Sequence, residues 1–271
     1  MRLYRARLEY VERLHPELFR WGLAAQGLGR DAEPGQFYMV RVGEGYDPLL
    51  RRPFALHRKG LRRGRRGRKS DGGEILFQVV GRGTQALAQK GKGDVIDLFG
   101  PLGRGWGRPS GGKPVLVAGG VGVASLVCLA QEMPLGLRRG AVAFIGAKSR
   151  ERLWCVDDLE EMGLTVHTSV ERGEGPFRGT VLELLEAHWL EIAHRSPFLF
   201  VCGPKAMVRA VAQWAEGQGV PCQVSLESSM GCGTGVCLGC AVKARSGYLR
   251  VCKDGPVFDA TEIDWGALDV G

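Results

Sequence analysis

Short runs of alternating apolar and polar residues dominate the first hundred positions. Residues 36–42 (QFYMVRV), 75–80 (ILFQVV) and 94–99 (DVIDLF) carry the two-residue period of half-buried strands. Turn signals such as Glu33-Pro34-Gly35 and Gly91-Lys92-Gly93-Asp94 separate them. Residues 1–105 are therefore expected to be all-β, and a closed or nearly closed barrel hides that many strand edges most economically. The rhythm changes after the glycine-rich stretch 103–112. Strand-like runs at 115–118, 141–146, 164–170, 198–202 and 223–226 alternate with segments of helical spacing at 123–132, 151–162, 180–193 and 205–218. That alternation predicts a doubly wound parallel α/β sheet over residues 106–226. Residues 227–271 fit neither rhythm and form a small third unit.

Composition changes this picture in one place. The formal net charge is +8, yet residues 58–69 (RKGLRRGRRGRK) hold eight basic groups and no acid, so the remaining charges balance. The excess is one glycine-rich insertion between strand-like runs and reads as a solvated hairpin loop. Without interleaved aromatics it is a poor nucleic-acid surface, although a basic loop beside a metal-binding tail leaves a zinc-binding nucleic-acid module as an alternative. The longest apolar run, residues 114–130, reaches only the short limit of a membrane span and contains Gly119, Gly120 and Gly122. A strand, a glycine turn and a helix explain it better. The N-terminus MRLYR has no signal-peptide apolar region, and Cys128, Cys155, Cys202 and Cys222 are scattered singly, so a cytoplasmic, reducing location is expected.

The tail carries the sharpest chemistry. Cys232, Cys237 and Cys240 follow C-x4-C-x2-C, and Cys252 comes after eleven further residues. This is the spacing with which plant-type ferredoxins hold a 2Fe-2S cluster. Glycines interleave the loop so that the backbone can curl around inorganic sulfide with its N–H groups pointing inward. Zinc sites usually offer two close cysteine pairs, whereas here there is one pair and two outliers. Zinc and disulfides are the competing readings.

Two turns on the α/β part suit a nucleotide. Gly119-Gly120-Val121-Gly122 and Cys202-Gly203-Pro204 each end a strand and open a helix, at the sheet edge where ligands bind. Cys202 is then either a crevice thiol or a small buried hydrophobe, and no other catalytic candidate is assigned. In the barrel part, Arg51-Arg52-Pro53-Phe54-Ala55 sets a cation beside an aromatic, and Gly81-Arg82-Gly83-Thr84 offers a turn with free N–H groups and a hydroxyl. These groups suit a diphosphate and a flavin ring.

Taken in order, Arg52-Pro53-Phe54-Ala55, Gly83-Thr84, Gly100-Pro101-Leu102-Gly103, Gly119-Gly120-Val121-Gly122, Cys202-Gly203-Pro204 and the four-cysteine tail resemble the ferredoxin-reductase-like flavoproteins. More specifically, the chain resembles the electron-transfer subunits of NAD-dependent dihydroorotate dehydrogenases, over essentially its whole length. The resemblance implies FAD on the barrel, contacted by Arg52, Pro53, Phe54, Ala55, Leu76, Phe77, Gln78, Gly83 and Thr84. It implies NAD on the α/β domain at Gly119, Gly120, Gly122, Cys202, Gly203 and Pro204, and the cluster on Cys232, Cys237, Cys240 and Cys252. It also implies a partner, an FMN-containing subunit that oxidises dihydroorotate in pyrimidine biosynthesis, in a heterotetramer of two chains each. Electrons then pass through the cluster and FAD to NAD+. The family usually has Ser or Thr at Ala55 and often Arg at Gln78, so those two flavin contacts differ here. Look-alike subunits of hydrogenases, sulfide dehydrogenases and ferredoxin:NADP+ transhydrogenases are the alternative assignments. Lys148-Ser149-Arg150, after the second α/β strand, suits a 2′-phosphate and keeps NADP open beside NAD.

Overall fold

The computed structural model describes residues 1–62, 71–107 and 112–268, so most of the arginine-rich loop at 58–69 lies outside the described residues. Seven strands form the first sheet: β1 (Arg2–His15), β2 (Leu18–Ala24), β3 (Phe37–Val40), β4 (Arg52–Ala55), β5 (Arg58–Lys59), β6 (Gly72–Gln78) and β7 (Val95–Leu102). Their order is β4-β3-β7-β1-β2-β6-β5, with every neighbouring pair antiparallel. Alternation does what the sequence pattern requires. Along β7 Ile96 and Leu98 turn into a core shared with Leu8, Trp21, Tyr38 and Phe77, while Val95 faces solvent. The sheet curls into a half-barrel. Among the described residues no ladder joins the end strands β4 and β5, so one side stays open.

One helix interrupts this β region. Residues 81–84 are expected to form only a turn, but they open α1 (Arg82–Ala88), which drives Leu87 into the half-barrel core. Seven residues with a single fully buried leucine are too few to display a helical period.

The second sheet contains β8 (Pro114–Gly119), β9 (Val142–Ala147), β10 (Thr165–Val170), β11 (Phe198–Cys202) and β12 (Cys222–Ser225), all parallel, in the order β10-β9-β8-β11-β12. All six residues of β8 are buried because helices cover both faces. Val115 and Val117 pack with α5 (Val181–Ala187) and α7 (Lys205–Gly217). Leu116 and Ala118 pack with α2 (Val123–Glu132) and α4 (Val156–Glu160) on the opposite side. A short α3 (Leu135–Gly140) precedes β9, and α6 (Trp189–Ile192) follows α5. No helix among the described residues is long and apolar enough to cross a membrane.

Two expected helices are shorter than their patterns. Residues 151–162 yield one 3-10 turn at Arg150–Arg152 and then α4, because Cys155 between them takes a left-handed conformation. Residues 180–193 break at His188, where φ and ψ are −101° and 3°. The start of α5 is fixed by a reciprocal cap: Thr180 Oγ1 accepts from the Glu183 N–H at 3.2 Å, and the Thr180 N–H donates to Glu183 Oε2 at 2.6 Å.

The tail contributes a hairpin, β13 (Ala241–Ala244) and β14 (Gly247–Arg250), and a last strand, β15 (Val257–Asp259). This last strand adds to the second sheet, antiparallel to β12. The four cysteines therefore hang on a segment anchored at both ends to the sheet edge.

Between the two sheets lies fully buried His57, whose ring nitrogens have no hydrogen-bond partner among the described residues. Burial holds its pKa below the ordinary 6.5, against the pull of Asp158. As pH falls below 6.5, the unfolded chain takes up a proton here that the folded chain does not. Stability should then decline by about 1.4 kcal/mol per pH unit until the folded pKa is reached. His57→Gln should remove this part of the slope, as urea midpoints at pH 7.5, 6.5 and 5.5 would show.

Candidate functional site

The open side of the half-barrel faces the C-terminal edge of the second sheet across a cleft of about 460 Å³. Strand order reverses between β8 and β11, and the turns after these two strands form one wall. Gly119, Gly120 and Gly122 line it from the first turn, and Cys202, Gly203 and Pro204 from the second. The opposite wall is Arg52, Pro53, Phe54 and Ala55 on β4, Leu76, Phe77 and Gln78 on β6, and Thr84 on α1. Gly83 lies outside the lining, beneath the Arg52 guanidinium, which a Cβ there would meet at 2.6 Å. Residues as distant in sequence as Arg52 and Pro204 thus meet in one cavity.

Local chemistry explains the wall geometry. β4 is an edge strand, which tolerates Pro53 because its outer side needs no donor. Arg52 is directed by donating from Nη1 to the Leu50 carbonyl at 2.7 Å. Gln78 donates from Nε2 to Glu17 Oε2 at 3.2 Å, and Arg152 reaches the same oxygen at 2.8 Å. Thr84 lines the cleft and also uses its hydroxyl locally. Its Oγ1 accepts from the Val80 and Gly81 N–H groups at 2.9 and 3.1 Å and donates to the Gly81 carbonyl, so it closes the turn into α1. What this turn offers outward is its first helical N–H groups, which have no partner within the helix.

The glycines of the other wall do separate jobs. Gly120 has φ +54°, a left-handed conformation, and nothing lies within 4 Å of the place a Cβ would take. It leaves backbone open to the cleft. Gly122 instead permits contact between the two turns, since a Cβ there would sit 2.6 Å from the Cys202 carbonyl oxygen. Cys202 is buried at this junction, and burial pushes its thiol up to about 12, so it stays protonated.

The sequence pattern gave no sign of Ser225, Glu227 or Met230, all of which line the cleft. Desolvation by the cleft walls raises the Glu227 carboxyl against the opposing Lys205 cation. A lone serine, acid and methionine at the start of a tail carry no periodic signal, and only β12 running to the sheet edge delivers them here.

Met230 also links the cleft to the cysteine loop, two residues further on. Cys237 is exposed, Cys232 half-buried, and Cys240 and Cys252 are buried, so the site opens outward on one side only. Backbone N–H groups aim at the sulfurs: Thr234 and Cys237 donate to Cys232 Sγ at 3.3 and 3.4 Å, and Cys252 donates to Cys240 Sγ at 3.4 Å. The Cys237 amide, helped by Thr234, holds the Cys232 thiol down to about 5. Burial and the neighbouring Cys240 push Cys252 up to about 12. Amide N–H groups aimed at thiolates are what an iron-sulfur cluster site needs.

Comparison with known proteins agrees. Residues 227–264 match the iron-sulfur cluster binding domain of dihydroorotate dehydrogenase B. Over 271 residues the chain is 36% identical to the dihydroorotate dehydrogenase B (NAD(+)) electron transfer subunit of Desulforamulus reducens, covering 97% of this chain and 99% of that protein. The chain belongs to this family of electron-transfer subunits. The Bacillus caldolyticus subunit is likewise 36% identical over 239 residues, covering 85% of this chain and 86% of its own length. Among solved structures, the NADH-dependent reduced ferredoxin-NADP oxidoreductase matches with TM-score 0.82 and 26% identity, covering 97% of this chain and 90% of that one. A ferredoxin NADP+ reductase from Neisseria gonorrhoeae, solved with FAD and NADP, shares the fold at TM-score 0.65 and 19% identity, over 81% of this chain and 92% of its own. As a member of the family the chain is an oxidoreductase component that acts with a catalytic subunit, which sets aside the zinc-binding nucleic-acid module.

Proposed function

We propose that this chain carries electrons from an FMN-containing dihydroorotate dehydrogenase catalytic subunit to NAD+, using a 2Fe-2S cluster on Cys232, Cys237, Cys240 and Cys252 and FAD on the half-barrel wall. When bound, the cluster supplies single-electron transfer and the flavin joins that to the hydride chemistry of a nicotinamide. The observation that carries this reading is one cleft with a cation-and-aromatic wall, an open glycine turn opposite, and Met230, two residues before the cysteine loop, in its lining. Arg52 and the α1 turn amides would hold a diphosphate, and the extended backbone of β4 and β6 beside Phe54 would face the flavin ring. With Ala55 in place of a hydroxyl residue, polar contact from that position falls to backbone. Gly120 and the first turn of α2 would take the pyrophosphate of the nicotinamide nucleotide. Cys202, held as a neutral thiol, packs without adding charge beside the nicotinamide.

NAD is favoured over NADP because the relatives are NAD(+) subunits. In the loop after β9, Ser149 turns its hydroxyl onto Glu151 Oε2 at 2.6 Å and lowers the pKa of that carboxylate, which sets an anion beside the Lys148 and Arg150 cations.

The partner docks where the cluster is shallowest, around exposed Cys237 with exposed Val236 and Leu238 on either side. We place the assembly in the cytoplasm as two chains with two catalytic subunits. The test is co-purification with that subunit. The complex should show flavin and cluster absorbance, about two irons per chain, and dihydroorotate-dependent NAD+ reduction. Colourless, iron-free material, or a different substrate for the companion subunit, refutes it.

A further inference from the structure

A buried carboxylate fastens the two walls of the cleft to each other. Asp158, on α4 of the nucleotide domain, has a side chain only 4% exposed and enters a socket whose cationic groups all come from the half-barrel. Its carboxylate meets Arg20 Nη2 at 3.2 Å, Arg58 Nη2 at 2.7 Å, Arg62 Nη1 at 2.9 Å and His57 Nε2 at 3.6 Å. The Cys155 thiol completes a compact group with His57 and Asp158. That group resembles a metal site by residue type and spacing, but three guanidinium ions on one carboxylate oppose a cation there.

Two further straps lie beside it. The Lys59 N–H donates to Gln131 Oε1 at 2.8 Å, Gln131 Nε2 donates to the Lys59 carbonyl at 2.9 Å, and Lys59 Nζ meets Glu132 at 2.9 Å. Arg152 pairs with Glu17 at 2.8 Å. The Lys59 strap joins elements that carry the two walls, and Glu17 of the other strap also holds the wall residue Gln78. Helix α2 starts at the Gly119–Gly122 turn, and β5 is the ladder neighbour of β6, which bears Leu76, Phe77 and Gln78. Arginine suits this task, since its planar fork fixes direction as well as charge.

We propose that Asp158 is a positioning residue that sets the separation of the two cleft walls, and thereby the distance over which hydride passes between nicotinamide and flavin. This rests on the reading that those two groups occupy the two walls. In that reaction two electrons and one proton leave the dihydronicotinamide together for the flavin, and NAD+ remains. Such a transfer loses up to about a hundredfold for a displacement near 1 Å.

The test uses the flavin-loaded full chain, mixed anaerobically with NADH. Asp158→Asn should lower the limiting rate of flavin reduction about tenfold or more. NADH affinity should stay within about twofold, and the long-wavelength absorbance of the flavin–nicotinamide complex should weaken. Arg62→Gln, at the half-exposed rim of the socket, should lower the same rate about threefold and decides the matter where Asp158→Asn does not fold. Unchanged rate and absorbance in a folded variant overturn the proposal. So does a loss confined to flavin content or NADH affinity, which would make the socket merely structural. A wild-type chain that holds no flavin, or holds it without reacting with NADH, sinks the underlying functional reading and is distinguishable from both.

Discussion

Cys237→Ser should strip the iron from the tail and lower dihydroorotate-to-NAD+ turnover by at least about two orders of magnitude, while flavin content and direct NADH oxidation persist. Serine is nearly the same size, but its oxygen is a hard, weakly acidic ligand where the cluster needs a soft thiolate. The position isolates ligation from folding. The Cys237 side chain is exposed, and its structural contribution, the N–H that donates to Cys232 Sγ, is backbone and survives the exchange. Cys252, buried in the core shared by the tail and the second sheet, offers no such separation. Iron and acid-labile sulfide analysis, a visible spectrum and the two assays run side by side check the result. Coupled turnover near the native level without iron would contradict the wiring.

The large features were legible because they rest on periodicity and spacing. Alternation marked the curled sheet, continuous apolar runs marked β8 and β11, and the cysteine spacing marked the tail. What escaped is what only tertiary contact creates. Helix α1 is too short for a period, and Cys155 breaks a helical pattern by adopting a left-handed backbone. Asp158 reads as one of several acids in Asp157-Asp158-Leu159-Glu160-Glu161, yet it is buried among the arginines while Glu161 pairs with Arg62 only at the exposed rim. The socket residues come from positions 20, 57, 58 and 62, with no local signature that they face one carboxylate. Thr84 carries a role that its sequence context does not show: the residue lines the cleft, and its hydroxyl also closes the turn into α1.

Two substitutions in one turn separate the roles of its glycines, and the larger effect belongs to Gly122→Ala. Gly122 has φ −57° and ψ −24°, ordinary helical values, so alanine suits its backbone and raises helix propensity. The obstacle is the other turn. A Cβ at Gly122 would lie 2.6 to 2.7 Å from the Cys202 carbonyl and the Gly203 nitrogen, all backbone atoms that no rotamer change can move. Relief requires the β8 and β11 turns to separate, opening the nucleotide wall where the two meet. That overpacking should cost about 1–3 kcal/mol of stability, and NADH affinity should fall at least about tenfold. Gly120→Ala provides the contrast. It carries a left-handed φ of +54° in open space, so the change costs about 1–2 kcal/mol in conformational strain and leaves the meeting of the turns intact. Thermal midpoints and NADH titrations of the flavin-loaded variants distinguish the two. If Gly122→Ala bound NADH within about twofold of wild type, the contact between these turns would not be what shapes the site.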